Sequence, residues 1–277
     1  MTTPDLVLVL GATGKTGSRV TRLLTDRGVP VRAGSRVADP PFDWSDRGTW
    51  HPVLDGVSAV YVAFAPDLAV PGAADTVEAF ATTAAAAGVR RLVLLSGRGE
   101  PEAQATEDRV LAVLGIDVTV VRASWFAQNF SESFLLDLVL DGVVALPVGP
   151  TVREPFIDAD DIAAVAVTAL TEPGHAGLVH EVTGPRALTM GEAVAQLSAA
   201  SGRDITFASV PLPDFTEGLT QAGLDEDLVA FLAYLFTEVM DGRNAGTTQG
   251  VERVLGGPPR AFADYARQAA ATGVWSA

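Results

Sequence analysis

The chain has 277 residues, 48% of them hydrophobic, a formal net charge of −15 and no cysteine. That length allows one large domain or one and a half with a sizeable core. The negative charge argues against nucleic acid as a main partner, because phosphate binding needs basic patches; zero cysteines exclude disulfides, thiolate nucleophiles and sulfur metal sites. No apolar run reaches the ~18 residues of a membrane span, and the N-terminus lacks the basic start and apolar stretch of a signal peptide. A cytoplasmic protein without membrane contact is expected.

The first element is read from "LVLVLGATGKTGSRV", Leu6 to Val20. Leu6 to Leu10 has the apolar, β-branched character of a strand buried on both faces. Gly-Lys-Thr at Gly14 to Thr16 is the end of a P-loop. That motif needs a glycine five places before the Gly-Lys pair, where this chain has Val9. Gly11, Gly14 and Gly17 instead form G-x-x-G-x-x-G ahead of an amphipathic helix, Ser18 to Asp26, closed by Gly28. Strand, tight turn and helix in that order let a pyrophosphate approach backbone N–H groups at the helix N-terminus. Gly11, Thr13, Gly14, Lys15, Thr16 and Gly17 are therefore candidate cofactor-binding residues.

Val29 to Ser35 reads as the second strand. In NAD-binding folds an acidic residue at its end accepts from the ribose 2′-OH. Here "VRAGSRVADP" offers Ser35 and Arg36, and no carboxylate before Asp39. A guanidinium suits a 2′-phosphate, so the expected cofactor is NADP(H), with Lys15 as a second positive charge. Asp43 in "FDW" is a candidate acceptor for an adenine amino group, or an ordinary turn aspartate. Val57 to Ala65 and Arg91 to Ser96 are further strands, with a helix over Ala73 to Ala87 between them. A helix over Thr106 to Leu114 leads to a strand over Asp117 to Arg122. Strands alternating with helices imply right-handed βαβ units and a parallel sheet. Its ligands sit beyond the strand C-termini, here Gly11, Ser35, Ala65, Ser96 and Arg122.

The second half is mainly helical: Ala159 to Leu170, Thr189 to Ser201, Leu224 to Met240 and Arg260 to Ala270. Short strands over Val179 to Thr183 and Ile205 to Val210 lie between them. His51, His175 and His180 lack metal-ligand spacing and read as surface or loop residues. The expected fold class is α/β, a doubly wound parallel sheet with a smaller, mainly helical C-terminal cap. Residues 1–150, completed by part of 151–185, form the nucleotide-binding domain, and 151–277 form the substrate-binding cap region.

Together these residues resemble the short-chain dehydrogenase/reductase superfamily in its atypical, NmrA-like branch, which implies a Rossmann-like sheet. "GATGKTGSRV", "AGSR" and "FDWSDRGTW" are similar to the ergot-alkaloid dehydrogenases and their bacterial relatives. "RRLVLLSG" resembles the family's fifth strand and "LGIDVTVVRASWFAQNF" its sixth. "PFIDADDIAAVAV" and "HEVTGPRALTMGEAVAQLSAASGR" look like its C-terminal signatures. Standard members carry Ser and then Tyr-x-x-x-Lys. This chain has Ser96, but "GRGEPEAQATEDRVL" after it holds neither tyrosine nor lysine. Ser96 and Asp108 remain as catalytic candidates, with Ser96 also a cofactor contact or simply bonded to local backbone.

Without that acid, hydride transfer is restricted to acceptors electrophilic enough to do without it, such as iminium ions, imines, conjugated C=C bonds and possibly quinones. The ergot-alkaloid resemblance implies an iminium carbon. Trp125, Phe126, Phe130 and Phe156 are candidate substrate-binding aromatics, and Asp158, Asp160 and Asp161 a candidate anionic cluster. Three readings stay open: an NADPH-dependent reductase of a small metabolite, an NADP-binding regulator without turnover, and a non-redox isomerase or cyclase. A monomer or homodimer is expected.

Overall fold

The computed structural model describes residues 5–276. In chain order, β1 is Leu6–Leu10, α1 Lys15–Asp26, β2 Val31–Gly34, α2 Trp50–Leu54, β3 Val57–Val62, α3 Ala73–Ala86, β4 Arg91–Gly97, α4 Pro101–Leu111 and β5 Asp117–Ala123. There follow α5 Leu135–Leu140, β6 Val143–Leu146, β7 Arg153–Glu154, α6 Ala159–Thr171, β8 Val179–Val182, β9 Leu188–Thr189 and α7 Met190–Ser201. The last elements are β10 Thr206–Ser209, α8 Leu212–Gln221, α9 Glu226–Tyr234, α10 Gly250–Leu255 and α11 Phe262–Ala271. Two compact units result: Met1–Ala123 with Ala159–Val182 and Gln249–Gly257, and Ser124–Asp158 with Thr183–Thr248 and Pro258–Ala277. The chain thus first changes unit at Ala123, before the residue-150 boundary read from the sequence.

The first unit holds a six-stranded sheet in the order β2-β1-β3-β4-β5-β8. Every pairing in it is parallel. Its strands are near-continuous runs of Val and Leu, as a sheet covered on both faces requires. Leu8, Leu10, Val60, Val62, Leu92 and Leu94 are fully buried and pack with Phe80 of α3 and Trp50 of α2. The chain steps from β1 to β2 on one side, then returns to the other side of β1 as β3. That reversal opens a crevice at the C-terminal ends of β1 and β3, where a doubly wound sheet takes its ligand.

Four expectations are corrected. The stretches resembling the family's fifth and sixth strands are β4 and β5, the fourth and fifth in chain order. No further strand intervenes between β2 and β3, where residues 42–54 hold turns and the short helix α2. Asp43 and Asp46 bond backbone N–H groups two residues on, at Ser45 and Gly48, and such turns compete with strand pairing. Helix α4 starts at Pro101 rather than Thr106, because proline is preorganised for a first helical turn. The run Leu224 to Met240 is not one regular helix, since α9 passes into a π-helical stretch at Leu235–Val239. His180 is no surface residue: it is buried on β8, with its Nε2 3.0 Å from Nδ1 of His175.

The second unit pairs β6 with β10 in parallel and β7 with β9 antiparallel. Helix α7 starts with a full capping box, the Thr189 hydroxyl on the Glu192 N–H and the Glu192 carboxylate on the Thr189 N–H. The core is aromatic. Phe130 packs against Phe156 and Phe262 with ring centroids 5.7 and 5.6 Å away. Trp275 joins it, and its indole Nε1 donates to the Phe130 carbonyl at 2.9 Å.

The histidine pair gives a pH signature. Burial, helped by the neighbouring His175 and Arg253, holds the His180 imidazole below its ordinary range. The unfolded chain then takes up that proton at higher pH than the folded chain does. Folding stability is therefore kept above about pH 6.5, the ordinary histidine value, and declines as pH falls below it. Urea unfolding at pH 7.5 and 5.5 should show a smaller acid-induced loss for His180→Gln than for the parent; equal losses refute the assignment.

Candidate functional site

The site of the first unit begins at the turn between β1 and α1. Gly11 has φ +72°, a left-handed conformation that favours glycine. Gly17, in the first turn of α1, lies against it. A Cβ on Gly17 would fall 2.1 Å from the Gly11 carbonyl oxygen. Gly14, the N-cap of α1, is exposed, and its N–H donates to the Gly11 carbonyl at 2.9 Å. The first N–H groups of a helix have no intrahelical carbonyl to bond. No acidic side chain occupies the first turn of α1, so its positive end is open to an anion.

Thr13 is exposed beside this turn. Thr16 is buried, and its hydroxyl accepts from Tyr61 Oη at 2.9 Å. Burial pushes the Tyr61 phenol well up, so it stays protonated and its hydrogen bond ties the start of α1 to β3. While it accepts from Tyr61, the Thr16 hydroxyl keeps its own proton to donate. Lys15 is the single lysine of the whole sequence.

Ser35 lies past the end of β2, and its carbonyl accepts from the Ala38 and Phe42 N–H groups. Arg36 beside it is exposed. It makes no hydrogen bond or salt bridge among the described residues. Asp43 spends Oδ1 on its own turn. Its carboxyl lies below the usual range through hydrogen bonds from the Ser45 hydroxyl and backbone, with Arg36 a smaller contributor. Ala65, exposed in the loop after β3, completes the set at the sheet edge.

Ser96, near the C-terminal end of β4, is 4% exposed, and its hydroxyl has no partner. A buried hydroxyl left unbonded costs free energy, so it does not serve local backbone. Asp108 does not join it. Near the C-terminal end of α4, which runs back from that edge, Asp108 is exposed. The sequence reading missed Glu100. This N-cap residue of α4 is 6% exposed and no donor reaches its Oε2. Its carboxyl lies over Gly97, where a Cβ would meet Oε1 at 2.0 Å. The signal available was Gly-Glu-Pro directly after a strand, an N-cap position followed by an N1 proline.

In the second unit, Phe130 and Phe156 are core rather than lining, enclosed by Phe262 and each other. Trp125 and Phe126 are half-buried. Trp125 packs on Phe236, and its indole Nε1 is buried without an acceptor. The aspartates do not form an open anionic patch. Asp158 accepts from Gln128 Nε2 at 2.8 Å and Arg260 Nη1 at 3.2 Å. In the first unit, Asp160 accepts from Arg19 Nε at 3.1 Å and Arg22 Nη2 at 3.3 Å. No cluster of three or more metal-ligating side chains occurs among the described residues. None of the described helices is long and apolar enough to cross a membrane.

An open helix N-terminus, a glycine turn too tight for side chains and an exposed arginine past β2 all fit the phosphates of a dinucleotide. Comparison with known proteins agrees. Residues 11–173 match the family described as NAD(P)H-binding. The chain is 33% identical to the NAD(P)H azoreductase of Xenophilus azovorans, over 96% of this chain and 98% of that protein. It is 32% identical to festuclavine dehydrogenase of Aspergillus fumigatus, over 95% and 97%. The NADPH-dependent quinone oxidoreductase of Escherichia coli, solved with NADPH, superposes with a TM-score of 0.78 at 23% identity, covering 95% and 99%.

The chain belongs to the NAD(P)H-binding family and shares the fold of NmrA. It is an NAD(P)H-dependent oxidoreductase of the ergot-alkaloid-dehydrogenase-like group.

The two later glycines of the turn should fail differently. Gly17→Ala forces a Cβ into the Gly11 carbonyl, so it should lower the thermal midpoint of the cofactor-free protein as well as abolish NADPH binding. Gly14→Val leaves the cofactor-free protein folded and removes NADPH affinity, because the new side chain fills the ligand's approach rather than the core. Calorimetric titration together with thermal unfolding separates the two; retained NADPH affinity in Gly14→Val refutes this site.

Proposed function

We propose that this protein is an NADPH-dependent reductase of small cationic or conjugated electrophiles, namely iminium ions, conjugated C=C bonds and quinones. It would transfer hydride to them without a tyrosine acid. The observation that carries this reading is the composition of the β4–α4 segment. Its buried Ser96 hydroxyl is unspent, yet α4 supplies neither tyrosine nor lysine. The sequence holds three tyrosines and one lysine. Tyr61 is bonded to Thr16, Tyr265 to Ser131 in the second unit, and Tyr234 lies on α9. The lysine stands in the glycine turn.

NADPH, when bound, supplies the hydride. The chain's own residues hold and orient it. Gly11, Thr13, Gly14, Lys15, Thr16 and Gly17 receive the pyrophosphate, Ser35 and Arg36 the 2′-phosphate, and Asp43 and Ala65 the adenosine side. Ser96 donates its hydroxyl to the cofactor or acceptor. The second unit is proposed to bind substrate, with Phe126 as an aromatic surface and Trp125 offering an indole N–H to a polar group of the substrate. An iminium carbon needs no proton once hydride arrives, and a conjugated acceptor can take its proton from solvent. That the relatives are named for azo, clavine and quinone substrates supports a conjugated or cationic acceptor.

Three measurements test this. Purified protein should oxidise NADPH with iminium ions, quinones or enones and leave simple ketones unreduced. Ser96→Ala should slow turnover by less than the ~100- to 10,000-fold typical of losing a general acid. Arg36→Ala should weaken NADPH by about 10- to 150-fold and spare NADH, the loss of one charge-assisted bond of roughly 1.5–3 kcal/mol. Efficient reduction of an unactivated ketone, abolished in Ser96→Ala, overturns the mechanism. Equal losses for NADPH and NADH in Arg36→Ala overturn the 2′-phosphate assignment.

A further inference from the structure

We propose that Glu100 is a positioning residue for the cofactor: as a neutral carboxylic acid it donates its proton to Asp67, clasping the loop between β3 and α3 onto the C-terminal end of β4. The inference rests on the reading above in one respect, that Ala65 of this loop touches the cofactor.

The geometry is that of a carboxyl group with nowhere to place a charge. Glu100 is 94% buried, its carboxyl is pressed over the Gly97 backbone, and Oε2 finds no donor. The charged groups acting on it are all acidic: Asp67 from the facing loop, and Glu102 and Glu107 from its own helix. Cations nearby in sequence or fold are engaged elsewhere. Arg122 on β5 is bonded to Glu107, and Arg98 reaches Glu181 on β8. A buried carboxylate without counter-charge is too costly to persist, so the group keeps its proton. Burial, and then the charge and hydrogen bond of Asp67, push it up to about 9. Two carboxyl groups in contact can share a hydrogen bond only while one carries a proton.

Asp67 is fixed at its other face, since its Oδ1 accepts the Ala69 N–H at 2.8 Å. The clasp therefore acts on the loop backbone itself, two residues from Ala65. Ionisation replaces an attraction with a repulsion between two carboxylates, and the loop is released from β4. Because its donor is spent on Asp67, Glu100 is assigned no proton transfer to substrate.

The test uses the full chain with NADPH as ligand, and the cofactor-free protein as a separate readout. NADPH affinity is titrated by fluorescence from pH 7 to 9.5, and amide exchange protection over residues 67–72 is followed without cofactor over the same range. The parent should lose NADPH affinity about two- to fourfold toward pH 9.5, the most that one group pushed up to about 9 allows, with a parallel loss of loop protection. Glu100→Gln, a donor that cannot ionise, should keep parental affinity at pH 7 and show neither alkaline loss. Any titration of Lys15 is common to both proteins. Asp67→Asn removes the opposing charge and should move the parental transition toward lower pH. Identical profiles for the parent and Glu100→Gln overturn the clasp. Alkaline loss of protection with constant NADPH affinity overturns the positioning role, while the Arg36→Ala comparison reads cofactor binding independently. A fall in turnover of 100-fold or more in Glu100→Gln, with unchanged affinity, overturns it too, because Glu100 would then be an acid.

Discussion

The contact between Gly17 and the Gly11 carbonyl is the constraint on which the nucleotide site depends. A helix can follow a strand at this angle only if nothing larger than hydrogen separates them, and the 2.1 Å left to a Cβ admits nothing larger. The close approach points the N-terminus of α1 along the crevice that the strand order opens beside β1. The Tyr61–Thr16 hydrogen bond holds the same junction from the β3 side. The ion pairs of Arg19 and Arg22 with Asp160 hold it from α6. An anion-binding helix end is in this way fixed by three independent contacts, none of which needs the ligand to be present.

Much of this was legible in the sequence because it is local. Leu6 to Leu10, the three spaced glycines and the strand runs at Val57, Arg91 and Asp117 each carry their period or turn chemistry within a dozen residues. Helices α3, α6 and α7 begin and end within a residue or two of the patterns that announce them. What was not legible depends on neighbours distant in sequence. Phe130 and Phe156 have the composition of a pocket wall and the surroundings of a core, and only the arrival of Phe262 and Trp275 decides between them. Asp108 and Glu100 are both carboxylates on one helix. A helix that starts at Pro101 leaves Asp108 in solvent and tucks Glu100 under the loop after β3, a distinction that no spacing rule expresses. The histidines at 175 and 180 likewise look unremarkable until β8 takes its place beside β5.

The acidity of the chain acquires a meaning at the site. A protein with 34 acidic and 19 basic residues repels a polyanionic cofactor at long range. The few positive features at the sheet edge, the helix end, Lys15 and Arg36, must reverse that field locally. In the proposed site, discrimination between phosphorylated and unphosphorylated ribose falls on one exposed guanidinium set against an unfavourable background, where the absence of a competing carboxylate counts as much as the presence of the arginine.

The solitary lysine has one more consequence. Lys15 is the one side-chain amine that the molecule offers to electrophiles, and it stands at the start of α1 inside the glycine turn. Acylating labels, aldehyde fixatives and amine-coupling resins, which spread over many positions on ordinary proteins, have here a single internal target, and it lies within the proposed dinucleotide site. In that site, attachment chemistry that is harmless elsewhere becomes an active-site modification, and bound cofactor its natural protecting group.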